Sequence, residues 1–269
     1  MLSYHELRRH YNLLWIISLV VYAFLYIPLV VVVVYSFNDS RLNAEWVGFT
    51  LEWYKKLFSD IEMLQAAGNS LLIALIASAM ATLLGTMAGI AMHRYKPKFL
   101  PLMVFTPVAM PEILLGVSLL LFFNIAIKPI LSLELGIWSV IVAHITFSIG
   151  FVAIVVRARL AGMDESLFEA ARDLGATPWE TFRLITFPLI LPGIIAGALM
   201  AFTLSIDDFV ITFFTKGTGI PILPIQIYTM IKTAVTPEVN AISTLLMLLT
   251  LVLIVIAAKI APDALRGKG

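Results

Sequence analysis

Long apolar runs separated by short polar stretches constrain this chain more than anything else in it. Leu13–Phe37 contains no charged residue. A helix rises about 1.5 Å per residue, so roughly 20 apolar residues cross the ~30 Å hydrocarbon core of a bilayer. This first run is too long for a signal-peptide core and has no small-residue cleavage site, so it reads as an uncleaved span. Further runs place six spans at about 13–37, 67–92, 99–125, 136–156, 189–213 and 239–259. With 61% of residues hydrophobic and 13% charged, a soluble domain is excluded. The expected fold is an all-α membrane protein, one transmembrane domain over 1–269 with about six transmembrane helices.

The polar residues bound the function. Net charge is +1, which argues against nucleic acid as a partner. There is no cysteine, hence no disulfide and no thiolate metal site or nucleophile. His5, His10, His93 and His144 are scattered and make no metal-ligand cluster, so each is read as structural. The chain has no G-x-x-x-x-G-K-[ST] loop and no assignable Ser-His-Asp set. It is therefore expected to be no enzyme and to hydrolyse no ATP itself.

The connecting segments carry the remaining signals. Asn38–Glu62, with Trp53, Tyr54, Lys55, Lys56 and Phe58, suggests a short helix at the membrane surface. Gly85 and Gly89 form a small-xxx-small pair that permits close helix contact. Pro101, Pro107 and Pro111 interrupt the third span. Lys216–Lys232, broken by Pro221 and Pro224, reads as an outer loop with a partial re-entrant or surface helix. Twelve Lys and Arg fall on the side of the N-terminus and six on the other. The richer side is the cytoplasmic one, which puts both termini and the loop 157–188 inside.

That loop is the longest run both charged and ordered-looking. Leu167, Ala170, Ala171 and Leu174 fall at i, i+3, i+4 and i+7, one face of a helix. Two alanines at its middle let the face sit deep in a groove. Glu165, Glu169, Arg172 and Asp173 take the other face. Gly175 follows, where a helix commonly ends in a left-handed residue. Thr177-Pro178-Trp179-Glu180 reads as a capping box with proline at the first helical position. Two short helices meeting at a corner make either a docking element or an ordinary helical hairpin.

The loop resembles the EAA signature of ABC-importer permeases. Glu169, Ala170, Ala171, Gly175, Ile185 and Pro188 stand at the matching positions, with Phe187 where the family has leucine. The resemblance implies a type I ABC-importer (MetI-like) permease fold with a cytoplasmic coupling helix. Leu167, Glu169, Ala170, Ala171, Leu174 and Gly175 would dock on a nucleotide-binding subunit. ATP and Mg would be bound by that partner ATPase, with no cofactor in this chain.

Acids within the apolar runs are the other informative feature. A central Asp costs about 2.5 to 3.5 kcal/mol on insertion scales, and Glu112 in the third span is comparable. Such a group faces protein or a wet cavity. Asp207 and Asp208 lie toward the outer end of the fifth span. Together the three acids line a path suited to a cation. Alternatively, Glu112 is protonated or bonded to backbone, and the aspartates cap a helix or pair with Lys216.

Segments beginning at Tyr26 (YIPLVVVVVYSFNDS), Ala143 (AHITFSIGFVAIVV), Ala201 (AFTLSIDDFVITFF) and Pro237 (PEVNAISTLL) resemble the polyamine (spermidine/putrescine) branch of these permeases. The resemblance implies a bacterial cytoplasmic-membrane subunit paired with a sister permease, two ATPase subunits and an extracytoplasmic binding protein. Polyamine would be the substrate and Glu112, Asp207 and Asp208 its contacts. The rival readings are the same machine carrying another solute, and a lone ion-coupled carrier using Glu112.

Overall fold

The structure is a computed structural model that describes residues 4–40, 45–233 and 236–260. Arg41, Arg266 and Lys268, and the side chains of Arg8 and Arg9, all used in the charge count above, lie outside the described residues. The chain divides into two compact units, residues 1–60 with 227–248, and residues 61–226 with 249–269. Among the described residues the structure is helical apart from one isolated antiparallel bridge, Asn38–Phe49. Among the described residues, six helical stretches are long and apolar enough to cross a membrane.

The first unit holds α1 (Tyr4–Tyr35) and α2 (Glu52–Ser59). From Leu13 to Tyr35 the side chains of α1 are almost all uncovered within the chain, as suits a surface facing lipid or another subunit. The connection to α2 is organised by Asn38, which is fully buried. Its amide donates to the Glu45 carbonyl at 2.8 Å and its Oδ1 accepts from the Val47 amide at 2.9 Å. Its own carbonyl accepts from Trp53 Nε1 at 2.8 Å. A buried side chain that satisfies its polar atoms in this way fixes a loop that has no regular ladder. Lys56 of α2 pairs with Glu238 at 2.7 Å.

The second unit is built on α3 (Ile61–Tyr95), α7 (Ile137–Ala161) and α10 (Phe187–Ile206). Gly85 faces Val152 and the Ile149 carbonyl, and Gly89 faces Val156 and the Ala153 carbonyl, so α3 and α7 run parallel. Gly197 of α10 meets the same Val152, and Gly193 meets the stem of Arg159, so α10 runs antiparallel to α7. Val152 is fully buried in a cluster with Ala81, Val156, Leu160, Ile190 and Ala201. In lipid, apolar burial gives helices little reason to associate; close van der Waals packing at small residues supplies it.

Two spans differ from their expected bounds. The third run is not one helix: α4 (Leu100–Ala109) ends at Met110, and α5 (Glu112–Phe122) begins after Pro111. Pro111 supplies no amide and forces Met110 into extended backbone (ψ 141°). α5 continues through a π-helical turn, Phe123–Ile127, into α6 (Lys128–Leu131), so the candidate span is Glu112–Leu131. Glu112 is thus the first residue of a half-helix and not the middle of a continuous span.

The fifth run starts earlier and stops sooner than expected. It opens within the loop 157–188 at Pro178 and ends at Ile206, with a separate α11 (Val210–Thr215) beyond. The segment after it contains α12 (Leu223–Thr233), too short to span. The Asn69 amide donates to the Pro221 carbonyl, and the Leu223 amide donates to Ser70 Oγ, both at 2.9 Å. The last helix is α13 (Pro237–Ile260).

A methyl group on Gly85 would sit 2.7 Å from Val152 Cβ and 2.8 Å from the Ile149 carbonyl. Gly85→Ala is therefore expected to destabilise by about 1–3 kcal/mol, the usual cost of overpacking. Gly68→Ala, with nothing within 4 Å, should not. Thermal unfolding of the two variants in detergent checks this.

Candidate functional site

Between α7 and α10 lies a helical corner, α8 (Ser166–Asp173) followed by α9 (Pro178–Thr181). Its geometry follows from side chains that complete helix ends. Asp164 Oδ1 accepts the Ser166 amide at 2.9 Å. That backbone bond, followed by one to the Ser166 side chain, holds the Asp164 carboxyl below the usual carboxylate range. The far end of α8 closes as a Schellman turn. Gly175 N–H donates to the Arg172 carbonyl at 2.9 Å and Ala176 N–H donates to the Ala171 carbonyl at 3.0 Å. The turn requires a left-handed residue, and Gly175 has φ +79°.

α9 opens with the expected capping box. Thr177 Oγ1 accepts the Glu180 amide at 3.3 Å, and Glu180 Oε2 accepts the Thr177 amide at 2.8 Å. A π-helical turn, Phe182–Thr186, joins α9 to α10. The Thr186 hydroxyl reaches five residues back to the Thr181 carbonyl. Arg159 Nε donates to the Leu189 carbonyl at 3.1 Å, tying the corner to the end of α7.

The corner presents an apolar face outward. Leu167 and Ala170 are exposed and Leu174 is 88% exposed, with Trp179 and Leu184 beside them in sequence and also exposed. Ala171 departs from the expected face: only 6% of it is accessible. It faces its own chain because the inner side of α8 is Phe168 and Ala171, not the charged residues alone. Glu169 is exposed on a groove of about 480 Å³ whose lining includes His93, Arg94, Lys96, Phe168 and Arg172. Trp179 was not among the docking candidates, since the capping-box reading used its position only as a spacer.

The three acids divide into two kinds. Glu112, at the start of α5, is exposed, and so is Asp207, at the end of α10. α5 packs against α11. Neither carboxylate pairs with a cation among the described residues. Asp208 is withdrawn: its side chain is 6% exposed, 3.4 Å from His144 Nε2. Its Oδ1 accepts the Thr212 amide at 2.9 Å. Lys216, the partner considered from sequence, instead donates to the Ile220 carbonyl. Non-helical backbone at membrane depth is tolerated only where it is buried in protein or lines a water-filled cavity. Glu112 and Asp207 stand at two such breaks.

Comparison with known proteins gives concordant relatives. Residues 81–266 match the family model described as binding-protein-dependent transport system inner membrane component. The chain is 41% identical over 250 residues to the spermidine/putrescine transport system permease protein PotC of Escherichia coli (strain K12), covering 92% of this chain and 93% of that one. It is 40% identical over 238 residues to the putrescine transport system permease protein PotI of the same strain, covering 86% and 84%. A chain of the bacterial alginate ABC transporter in complex with an alginate pentasaccharide-bound periplasmic protein aligns with TM-score 0.73 at 18% identity, 97% of each chain covered. A chain of the inward-facing MetNI methionine ABC transporter aligns at 0.63 and 19%, covering 74% of this chain and 94% of that one.

At Gly175 an added Cβ has open space around it, so only the backbone objects to a side chain there. Gly175→Val should cost about 1–2 kcal/mol of local stability, whereas Gly175→Asn should be tolerated. Hydrogen exchange at the Gly175 and Ala176 amides, faster in the valine variant only, is the measurement.

Proposed function

The chain belongs to the family of binding-protein-dependent transport system inner membrane components, and from that premise we propose that it is a permease subunit of an ATP-driven polyamine importer. The observation that carries the substrate class is the pair of exposed acids, Glu112 and Asp207, at two breaks in the helices. Polyamines are flexible chains with a cationic amine at each end, so two separated carboxylates match their ends. Helix C-termini add partial negative charge, and α10 ends at Ile206, beside Asp207. Discontinuous helices of this sort form substrate sites in other membrane transporters. The relatives named for spermidine and putrescine support the same substrate.

In this reading the chain works with a sister permease, two ATPase subunits and an extracytoplasmic binding protein. ATP and Mg are bound by the ATPases. Leu167, Ala170 and Leu174 form the apolar dock, Glu169 its charged edge, Ala171 and Gly175 the inner support and corner. The assembly sits in a bacterial cytoplasmic membrane with both termini inside, as the Lys and Arg bias favours. Closure of the ATPases pulls the corner, and α10, continuous with it through the turn Phe182–Thr186, carries the displacement to the break at Asp207. Substrate access then alternates between the two sides.

Hydrogen bonds to a charged group are worth about 1.5–3 kcal/mol, so losing one weakens binding roughly 10- to 100-fold. Glu112→Gln and Asp207→Asn are each expected to raise KM for spermidine uptake by at least about tenfold in the reconstituted complex. Unaltered kinetics in both would remove the acids from the path. Leu174→Asp should abolish uptake while the chain still inserts, because it buries a charge in the dock. Retained uptake there would sink the docking role.

A further inference from the structure

The break between α10 and α11 has no local cause. Between Ala201 and Lys216 there is neither glycine nor proline, the residues that normally interrupt a helix. In an unbroken helix the Thr212 amide would donate to the Asp208 carbonyl. Here it donates to the Asp208 side chain instead. A carboxylate has been inserted into the backbone ladder, and something has to hold it there.

His144 of α7 does so. It is 3% exposed and uses both ring nitrogens. Nδ1 lies 2.7 Å from Ser205 Oγ, just before the end of α10. Nε2 lies 2.9 Å from Thr212 Oγ1 and 3.4 Å from Asp208 Oδ1, beyond the break. Each ring nitrogen thus has a hydroxyl for its hydrogen-bond partner, one on each side of the break, and the Asp208 carboxylate packs against the Nε2 edge. One imidazole thereby ties the two half-helices together across residues 206–211. The neighbours of His144 on α7, Ala143 and Phe147, are buried in a cluster with Ile211 of α11.

We propose that His144 is a positioning residue for the substrate path: by bridging Ser205 and Thr212 with Asp208 packed against its ring, it keeps the helix broken and leaves Asp207 turned outward. The inference rests on the reading of Asp207 as a substrate contact. Of two adjacent aspartates, one is spent on architecture and the other is presented. His144 touches no substrate; it acts through the backbone it fixes.

The chain has no cysteine, so a single thiol reports the position of residue 207 directly. The test uses membranes containing the full importer, with Asp207→Cys in this chain and a cationic thiosulfonate reagent. Labelling is expected to be fast and slowed by spermidine. Adding His144→Leu should slow labelling at least tenfold, as the break closes or turns. His144→Gln, which retains a polar group near the Nε2 position, should return the rate to within threefold. Labelling at Thr218→Cys, on an exposed loop, should be the same in all three backgrounds. If His144→Leu does not insert, Ser205→Ala removes one tie and should slow labelling about threefold. An unchanged rate at position 207 in the leucine variant, or in the alanine variant where that one is used, overturns the proposal. A rate slowed by His144→Leu but not protected by spermidine upholds the clamp and overturns the substrate role of Asp207.

Discussion

A polypeptide in hydrocarbon must satisfy its own backbone hydrogen bonds, and the arrangement of this chain follows from where it does so and where it does not. Most of the apolar sequence complies as helix. The departures sit at Met110–Pro111 and at residues 207–209. Each departure leaves amides and carbonyls without helical partners, and each is adjoined by an exposed acid. The two interruptions thus coincide with exposed carboxylates in an otherwise apolar sequence. Asp208 shows how one such interruption is made good from within, by a side-chain oxygen standing in for a carbonyl.

The corner between α7 and α10 obeys the same rule. A Schellman turn closes α8, a capping box opens α9, and a wide turn passes into α10. Consecutive helices with completed ends make a stiff connection without a large core. A stiff corner that displays Leu167 and Leu174 to solvent has unfavourable apolar exposure as an isolated surface and suits contact with another subunit. Continuity with α10 means that a displacement at the corner reaches the break at Asp207 along one helical path.

Legibility in the sequence tracked how local each interaction is. The corner was readable because its bonds join residues three to five apart: Gly175, Thr177 and Glu180 all take the roles their spacing suggested. The glycine pair on α3 was readable as a contact surface, though not which helix it would meet. Pro111 announced a break, yet the run still looked like one span because no charged residue but Glu112 accompanied it. The second break was legible only through the reading that the aspartates cap a helix, which Asp208 does at the Thr212 amide; its contact with His144, 64 positions away, has no signal in sequence order. For the same reason Asp207 and Asp208 looked equivalent. Ala171 was misplaced onto the outer face because periodicity fixes a stripe of residues but not which edge of it the rest of the chain covers.

The contact at Val152 has an outcome for how such a chain can change over time. Gly85 and Gly197 both press on that one isopropyl group, so three positions on three helices share one allotment of volume. Bulk gained at any of them has to be surrendered at another, and drift at these sites is a single correlated variable. Among homologues the trio should be found exchanging size in concert, while the lipid-facing residues of α1 wander independently.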